Sequence, residues 1–255
     1  MNDREILDYF ESQAKSGAWD SLYNPKNPGS YPFIIRFKKG IELLHSIDGK
    51  TVLDLGCGTG VLIPHIVENN GFYIGVDSSQ NMLDVIKKQY SSLVESNKIK
   101  LFSQDIRNFE TPDKIDIVVG LGFIEYFDNP EIILKKLYEF LPQGGQLILS
   151  FPNFNSLDYF SVRFFSPFRF LLRKISGKST HQPPRRMWNI KFAEKLFLNA
   201  GFNNIKLVNY NVNIFAYPFT KISMRFTNFW AKKFEYSKLS TIHFFASGFI
   251  VSAVK

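Results

Sequence analysis

The chain of 255 residues is 45% hydrophobic and 21% charged, proportions of a packed globular protein that exclude a disordered or fibrous class. A formal net charge of +8 points to anionic company without specifying a fold. The lone cysteine, Cys57, excludes an internal disulfide and a thiolate metal cluster.

No apolar run reaches the roughly 18 residues of a membrane-spanning helix, and Met1-Asn2-Asp3-Arg4-Glu5 lacks the basic and apolar stretches of a secretion signal. The sequence therefore predicts a cytoplasmic protein. Apolar positions at helical spacing predict helices over 3–15 and 33–46, separated by the turn-forming run Asn24-Pro25-Lys26-Asn27-Pro28-Gly29-Ser30. Strands are expected at 51–55, 72–76, 98–102, 115–119 and 146–151, alternating with helices at 60–69, 79–90 and 130–141. That order implies a parallel sheet with helices on its faces. A helix at 189–200, a strand at 204–209 and a last strand at 244–254 complete the pattern.

The residues Val52-Leu53-Asp54-Leu55-Gly56-Cys57-Gly58-Thr59-Gly60 read as a buried strand running into a glycine turn that opens a helix. Alternating glycines let the backbone take positive φ and come close to a ligand. A dinucleotide-binding G-x-G-x-x-G would place its third glycine where Val61 or Ile63 stands, and no Gly-Lys-Ser/Thr of a phosphate loop follows.

This motif, with the elements that follow it in order, resembles the class I S-adenosylmethionine-dependent methyltransferases. The resemblance implies a doubly wound α/β, Rossmann-like fold. Its seven-stranded sheet is mostly parallel with an antiparallel last strand, and carries N-terminal helices and an inserted lid. It divides one domain into a helical cap (1–49), a cofactor-binding core (50–151), a basic aromatic insertion (152–188) and C-terminal strands (189–255) with a second insertion near 211–240. The implied cofactor is S-adenosylmethionine, with Asp54, Gly56, Cys57, Gly58 and Gly60 along its methionine part. Asp77 ends the second strand and would accept both ribose hydroxyls, as a carboxylate can; it could equally cap the helix that follows. Ser78 and Met82 lie beside it. Asp105 and Ile106 follow the third strand at the adenine position, and Leu121 follows the fourth. Tyr23 and Arg36 come from the region that folds over the cofactor in related enzymes, and Arg36 suits a carboxylate.

Within the family the chain looks most like the ubiquinone-biosynthesis and magnesium-protoporphyrin O-methyltransferases. That likeness rests on Phe123-Ile124-Glu125-Tyr126-Phe127, Leu141-Pro142-Gln143-Gly144-Gly145 and Ser179-Thr180-His181. The quinone enzymes usually carry Glu-His where this chain has Glu125-Tyr126. The expected acceptor is a small apolar, phenolic or lipid-like molecule methylated on oxygen. A phenol needs a base at neutral pH, and His181, Glu125 and Tyr126 are the candidates. No histidine and carboxylate spacing makes a metal site, so none is expected.

Two segments, 157–178 and 221–238, interleave aromatic and basic residues, as a membrane-surface helix or a lid over the acceptor would. The positive charge makes an RNA or other nucleic-acid methyltransferase the alternative reading, although the segment after the fourth strand reads Gly120-Leu121-Gly122-Phe123 and lacks the Asn/Asp-Pro-Pro-Tyr/Phe of base-methylating enzymes, which counts against it. A protein that binds the cofactor without chemistry stays open at this point.

Overall fold

Short buried strands, each followed by a turn and a helix, build the architecture of the computed structural model, which describes residues 2–111, 113–166, 183–213, 215, 222–237 and 240–255. The strands β1 (Thr51–Leu55), β2 (Phe72–Asp77), β3 (Ile99–Ser103), β4 (Ile117–Gly120) and β5 (Gln146–Pro152) pair in parallel. β7 (Gly248–Val254) lies antiparallel between β5 and β6 (Asn203–Tyr210), giving the order β3-β2-β1-β4-β5-β7-β6. This is the expected mostly parallel, seven-stranded sheet with its last strand antiparallel.

Successive strand side chains point to opposite faces, so Val52 and Leu53 enter different cores. Leu53, Leu55, Val118 and Leu147 pack with Leu134 and Leu137 of α7 (Pro130–Phe140) and Phe197 of α9 (Ile190–Asn199). On the other face Val52, Ile117 and Val119 meet Ile63 and Ile66 of α4 (Ile63–Glu68) and Leu83 and Ile86 of α5 (Gln80–Gln89), with Leu93 and Val94 of α6 (Ser91–Glu95) packed against them. Burial on both faces is why these strands read as continuous apolar runs. The chain steps from β1 outward to β2 and β3, then returns to β4 on the other side of β1. That reversal opens a crevice at the carboxyl ends of β1 and β4.

Helices α1 (Asp3–Lys15), α2 (Ala18–Ser21) and α3 (Tyr31–Glu42) roof the crevice. A capping box starts α1: the Glu5 N–H donates to Asn2 Oδ1 and the Asn2 N–H donates to Glu5 Oε2, both at 2.9 Å. Two orphan amides are thereby satisfied.

Several element boundaries differ from expectation. The helix after β1 begins at Ile63 rather than 60, because Gly60 has φ +78° and still belongs to the turn. α3 ends at Glu42 and β4 begins at Ile117. The last strand begins at Gly248 instead of Phe244; the carbonyls of Phe244 and Ala246 accept from Asn153 Nδ2, each at 2.9 Å, and so are withdrawn from a ladder.

The basic insertions contribute α8 (Leu157–Phe164) and α10 (Met224–Glu235). The remainder of the first insertion, from 167 to 182, lies outside the described residues. α10 docks on the N-terminal region, where Asn228 Nδ2 donates to the Pro28 carbonyl at 2.6 Å. No helix among the described residues is long and apolar enough to cross a membrane.

Candidate active site

The glycine turn leaves β1 with φ +62° at Gly56 and +54° at Gly58, a region that excludes most side chains. Gly56 and Cys57 donate their N–H groups to the Val76 carbonyl at 2.8 and 3.3 Å, which fastens the turn to β2. Asp77, at the end of β2, accepts from Gly58 N at 2.9 Å and from Ser79 N at 2.8 Å. The helix cap itself is Ser79, whose Oγ accepts from Met82 N at 3.2 Å. Asp77 thus clamps two loops, and desolvation still raises its pKa against those two bonds.

Asp54 is buried inside β1 and accepts from the Tyr73 hydroxyl at 2.8 Å. Burial pushes its carboxyl up to about 7. Burial likewise pushes the Cys57 thiol up, so it stays protonated and unreactive.

A cavity of about 290 Å³ opens over this turn. Asp54, Gly56, Cys57 and Gly58 line it from β1, Asp77, Ser78 and Met82 from β2 and α5, Asp105 from the end of β3, and Leu121 from the end of β4. Tyr23 and Arg36 close it from above. Two expected residues are not in its lining. Gly60 instead faces Ile63 and Ile86, and Ile106 is buried in the core beside Phe109.

The sequence reading missed the contribution of α1, whose Asp3, Ile6, Leu7 and Phe10 line the cavity, and that of Arg107. Arg107 donates to both Asp105 oxygens, at 2.9 and 2.6 Å, and to Asp3 at 2.6 Å. It therefore ties the end of β3 to the start of α1. Desolvation would raise the Asp105 pKa, but its bonds with Arg107 outweigh that and hold it below the usual carboxylate range.

A second cavity, of about 570 Å³, adjoins the first. Phe10, Trp19, Arg36, Gly122 and Tyr126 line both. Their rings pack edge to face, Phe10 on Trp19 at 5.6 Å and on Tyr126 at 5.5 Å. Glu125 lines the second cavity alone; it is buried, and its Oε2 has no hydrogen-bond partner among the described residues. Desolvation raises its pKa, opposed by the charges of Arg36 and Arg185. Desolvation also raises that of the Tyr126 phenol.

Asp158, Arg185 and Tyr210 join this wall without having been singled out in the sequence; each comes from a different segment, and no spacing links them. His181 lies outside the described residues. Among the described residues no group of three His, Cys, Asp or Glu side chains is placed to hold a metal ion.

Residues 53–147 match the family model of a methyltransferase domain. A ubiquinone biosynthesis O-methyltransferase of Coxiella burnetii is 29% identical over 126 residues, covering 48% of this chain and 51% of that protein. An (S)-coclaurine N-methyltransferase of Papaver somniferum is 32% identical over 116 residues, covering 44% of this chain and 32% of that one. The chain therefore spans about half the length, or less, of these curated relatives. Among solved structures, magnesium protoporphyrin IX methyltransferase of Synechocystis PCC 6803 with bound SAM aligns over 100% of this chain and 98% of its own, with a TM-score of 0.62 at 16% identity. At that identity the likeness is one of fold. The sequence comparisons bear out the resemblance read from the glycine turn and the elements after it, and the structural one bears out the fold that it implies.

Proposed function

We propose that this chain is an S-adenosylmethionine-dependent methyltransferase that methylates an oxygen of a small apolar, phenolic or lipid-like acceptor. The observation that carries the reading is the wall of Phe10, Trp19, Arg36, Gly122 and Tyr126 common to two cavities, an arrangement suited to a donor on one side and an acceptor on the other.

The first cavity offers what the cofactor requires. The Arg36 guanidinium is buried with no carboxylate in ion-pair range among the described residues, and it donates a long hydrogen bond of 3.5 Å to the Tyr23 hydroxyl. It would hold the cofactor's carboxylate. Trp19 Nε1 is buried with no hydrogen-bond partner among the described residues and lies against Gly58, where an added Cβ would sit 2.8 Å from it. Asp77 would accept from the ribose hydroxyls, and Asp105 from the adenine amino group. When bound, S-adenosylmethionine supplies a methyl group on a sulfonium, open to in-line displacement.

The rest of the chemistry belongs to the chain. The aromatic wall excludes water and orients the acceptor. A phenol with a pKa of about 10 must shed its proton to react at neutral pH. Glu125, with an unpartnered oxygen in the acceptor cavity, takes that proton. Tyr126 keeps its own proton, since desolvation raises its pKa, and donates a hydrogen bond.

Exposed aromatic and basic side chains on α8 and α10 support delivery of the acceptor from a membrane surface. Tyr159 and Val162 of α8 also line the acceptor cavity, so surface and pocket adjoin.

Isothermal titration with S-adenosylhomocysteine, followed by transfer of labelled methyl groups to a panel of phenols and amines, tests the reading. Binding with turnover of a phenol is the expected result. Absence of cofactor-product binding overturns the whole reading, and turnover of amines alone overturns oxygen as the target.

A further inference from the structure

The second cavity holds two carboxyl groups in unlike company. Glu125 faces the charges of Arg36 and Arg185. Asp158, in the first turn of α8, has no ion-pair partner among the described residues. Its Oδ2 accepts from Ser247 Oγ at 2.8 Å, and Ser247 Oγ accepts from Asn211 Nδ2 at 2.9 Å. An amide nitrogen can only donate and a hydroxyl has one proton, so the Ser247 proton is committed to Asp158 and the carboxylate is fixed as an acceptor. All three residues line the cavity. Asn211 is buried with φ +57°, a left-handed conformation that its surroundings must hold in place. The Ser247 N–H bond to its carbonyl, at 3.0 Å, helps to do so.

A carboxylate accepts about four hydrogen bonds, and the Ser247 hydroxyl supplies one. Desolvation raises the Asp158 pKa, and that bond, the one its carboxylate has among the described residues, opposes it. A half-buried carboxylate in this state gains most from a ligand that brings a donor. Asp158 lines the second cavity and not the first, so it stands away from the wall where the methyl group would cross.

We propose that Asp158 is a specificity residue that receives an O–H or N–H donor of the acceptor remote from the methylated atom. The enzyme then selects a flat apolar acceptor bearing a second polar group, a hydroxyl or an ammonium, and rejects one with a single reacting oxygen. The inference rests on reading the second cavity as the acceptor pocket.

The experiment uses the full chain saturated with S-adenosylhomocysteine and titrates two matched pairs, catechol against phenol and tyramine against 4-ethylphenol. In wild type one donor-bearing probe binds at least about tenfold tighter than its partner, the scale of a hydrogen bond to a charged group. Whichever pair shows the difference identifies hydroxyl or ammonium. Asp158→Ala abolishes the preference while S-adenosylhomocysteine affinity stays unchanged. Asp158→Asn, closer in shape, retains part of it for the hydroxyl pair and none for the ammonium pair, and serves if the alanine variant does not fold. Equal or absent binding of both pairs to wild type overturns the proposal, as does a preference that survives in a folded alanine variant. Failure of wild type to bind S-adenosylhomocysteine overturns the underlying reading together with it.

Discussion

Asp77 Oδ2 accepts the N–H of Gly58 at 2.9 Å, so the carboxylate that ends β2 holds the backbone of the turn that ends β1. Its other oxygen accepts from Ser79 N. Asp77→Asn keeps one acceptor and turns an NH₂ group toward the other amide. The expected destabilisation is about 1–3 kcal/mol, the range for an unsatisfied amide, together with at least about a tenfold loss of S-adenosylhomocysteine affinity for the lost charge-assisted bonds. Thermal unfolding with and without the ligand separates the two effects. Wild-type affinity in a variant with a lowered Tm would leave Asp77 a clamp and remove it from the ribose.

Asp54 makes stability depend on pH in a definite direction. Its pKa is raised from 3.8 to about 7, first by burial, with the Tyr73 hydrogen bond opposing and the charge of Asp77 adding to the rise. Between those values the folded protein keeps a proton that the unfolded chain has released. Its contribution is therefore full below 3.8 and is lost as pH rises through about 7, at up to about 1.4 kcal/mol per pH unit. Asp54→Asn cannot titrate and can still accept from Tyr73. Its Tm should gain on wild type between pH 5 and pH 8 in differential scanning calorimetry, and parallel curves for the two proteins would refute the assignment.

Glu125→Gln removes the proposed base and little volume. Turnover of a phenolic acceptor should fall by about 10²–10⁴, the usual weight of general-base catalysis, with S-adenosylhomocysteine affinity unchanged. Raising the pH toward the phenol's own pKa should restore part of the lost rate, because the ionised acceptor needs no base. A variant with full turnover at pH 7 would take the role of base away from Glu125 and leave it to another candidate, His181 among them.

The glycine turn and the parallel part of the sheet were legible because each is a local signal: strand, turn and helix occur in one stretch, and strands that alternate with helices pair in parallel; the antiparallel last strand came only with the family resemblance. Arg107 was not legible. Its meaning lies in Asp3, 104 residues away in sequence, and a loop Arg by itself reads as solvated. Asp158, Ser247 and Asn211 illustrate the same limit, since three unrelated segments meet at the end of the sheet. The start of β7 failed for another reason: Phe244 and Phe245 are as apolar as a strand requires, but a side chain from the far end of β5 takes the carbonyls around them. Hydrophobic pattern does not register that competition.

The exposed faces of the two insertions lead to the last prediction. Phe164 on α8 is 78% exposed and Phe229 on α10 is 62% exposed, although both are large apolar residues, and Arg163, Arg225, Lys232 and Lys233 flank them. Such a surface should bind vesicles containing phosphatidylglycerol and leave those of phosphatidylcholine alone, with binding weakened as salt screens the charges. Burying a Phe contributes about 1.5–3 kcal/mol, so Phe164→Ser with Phe229→Ser should reduce the vesicle partition coefficient by at least about a hundredfold. Neither residue lines the cofactor cavity or the one beside it, so cofactor-product affinity should not change. Co-sedimentation measures both partition and salt dependence. If the wild-type protein stayed in the supernatant with anionic vesicles at low salt, the aromatic faces would have no role at a membrane, and the acceptor would have to reach the cavity from solution.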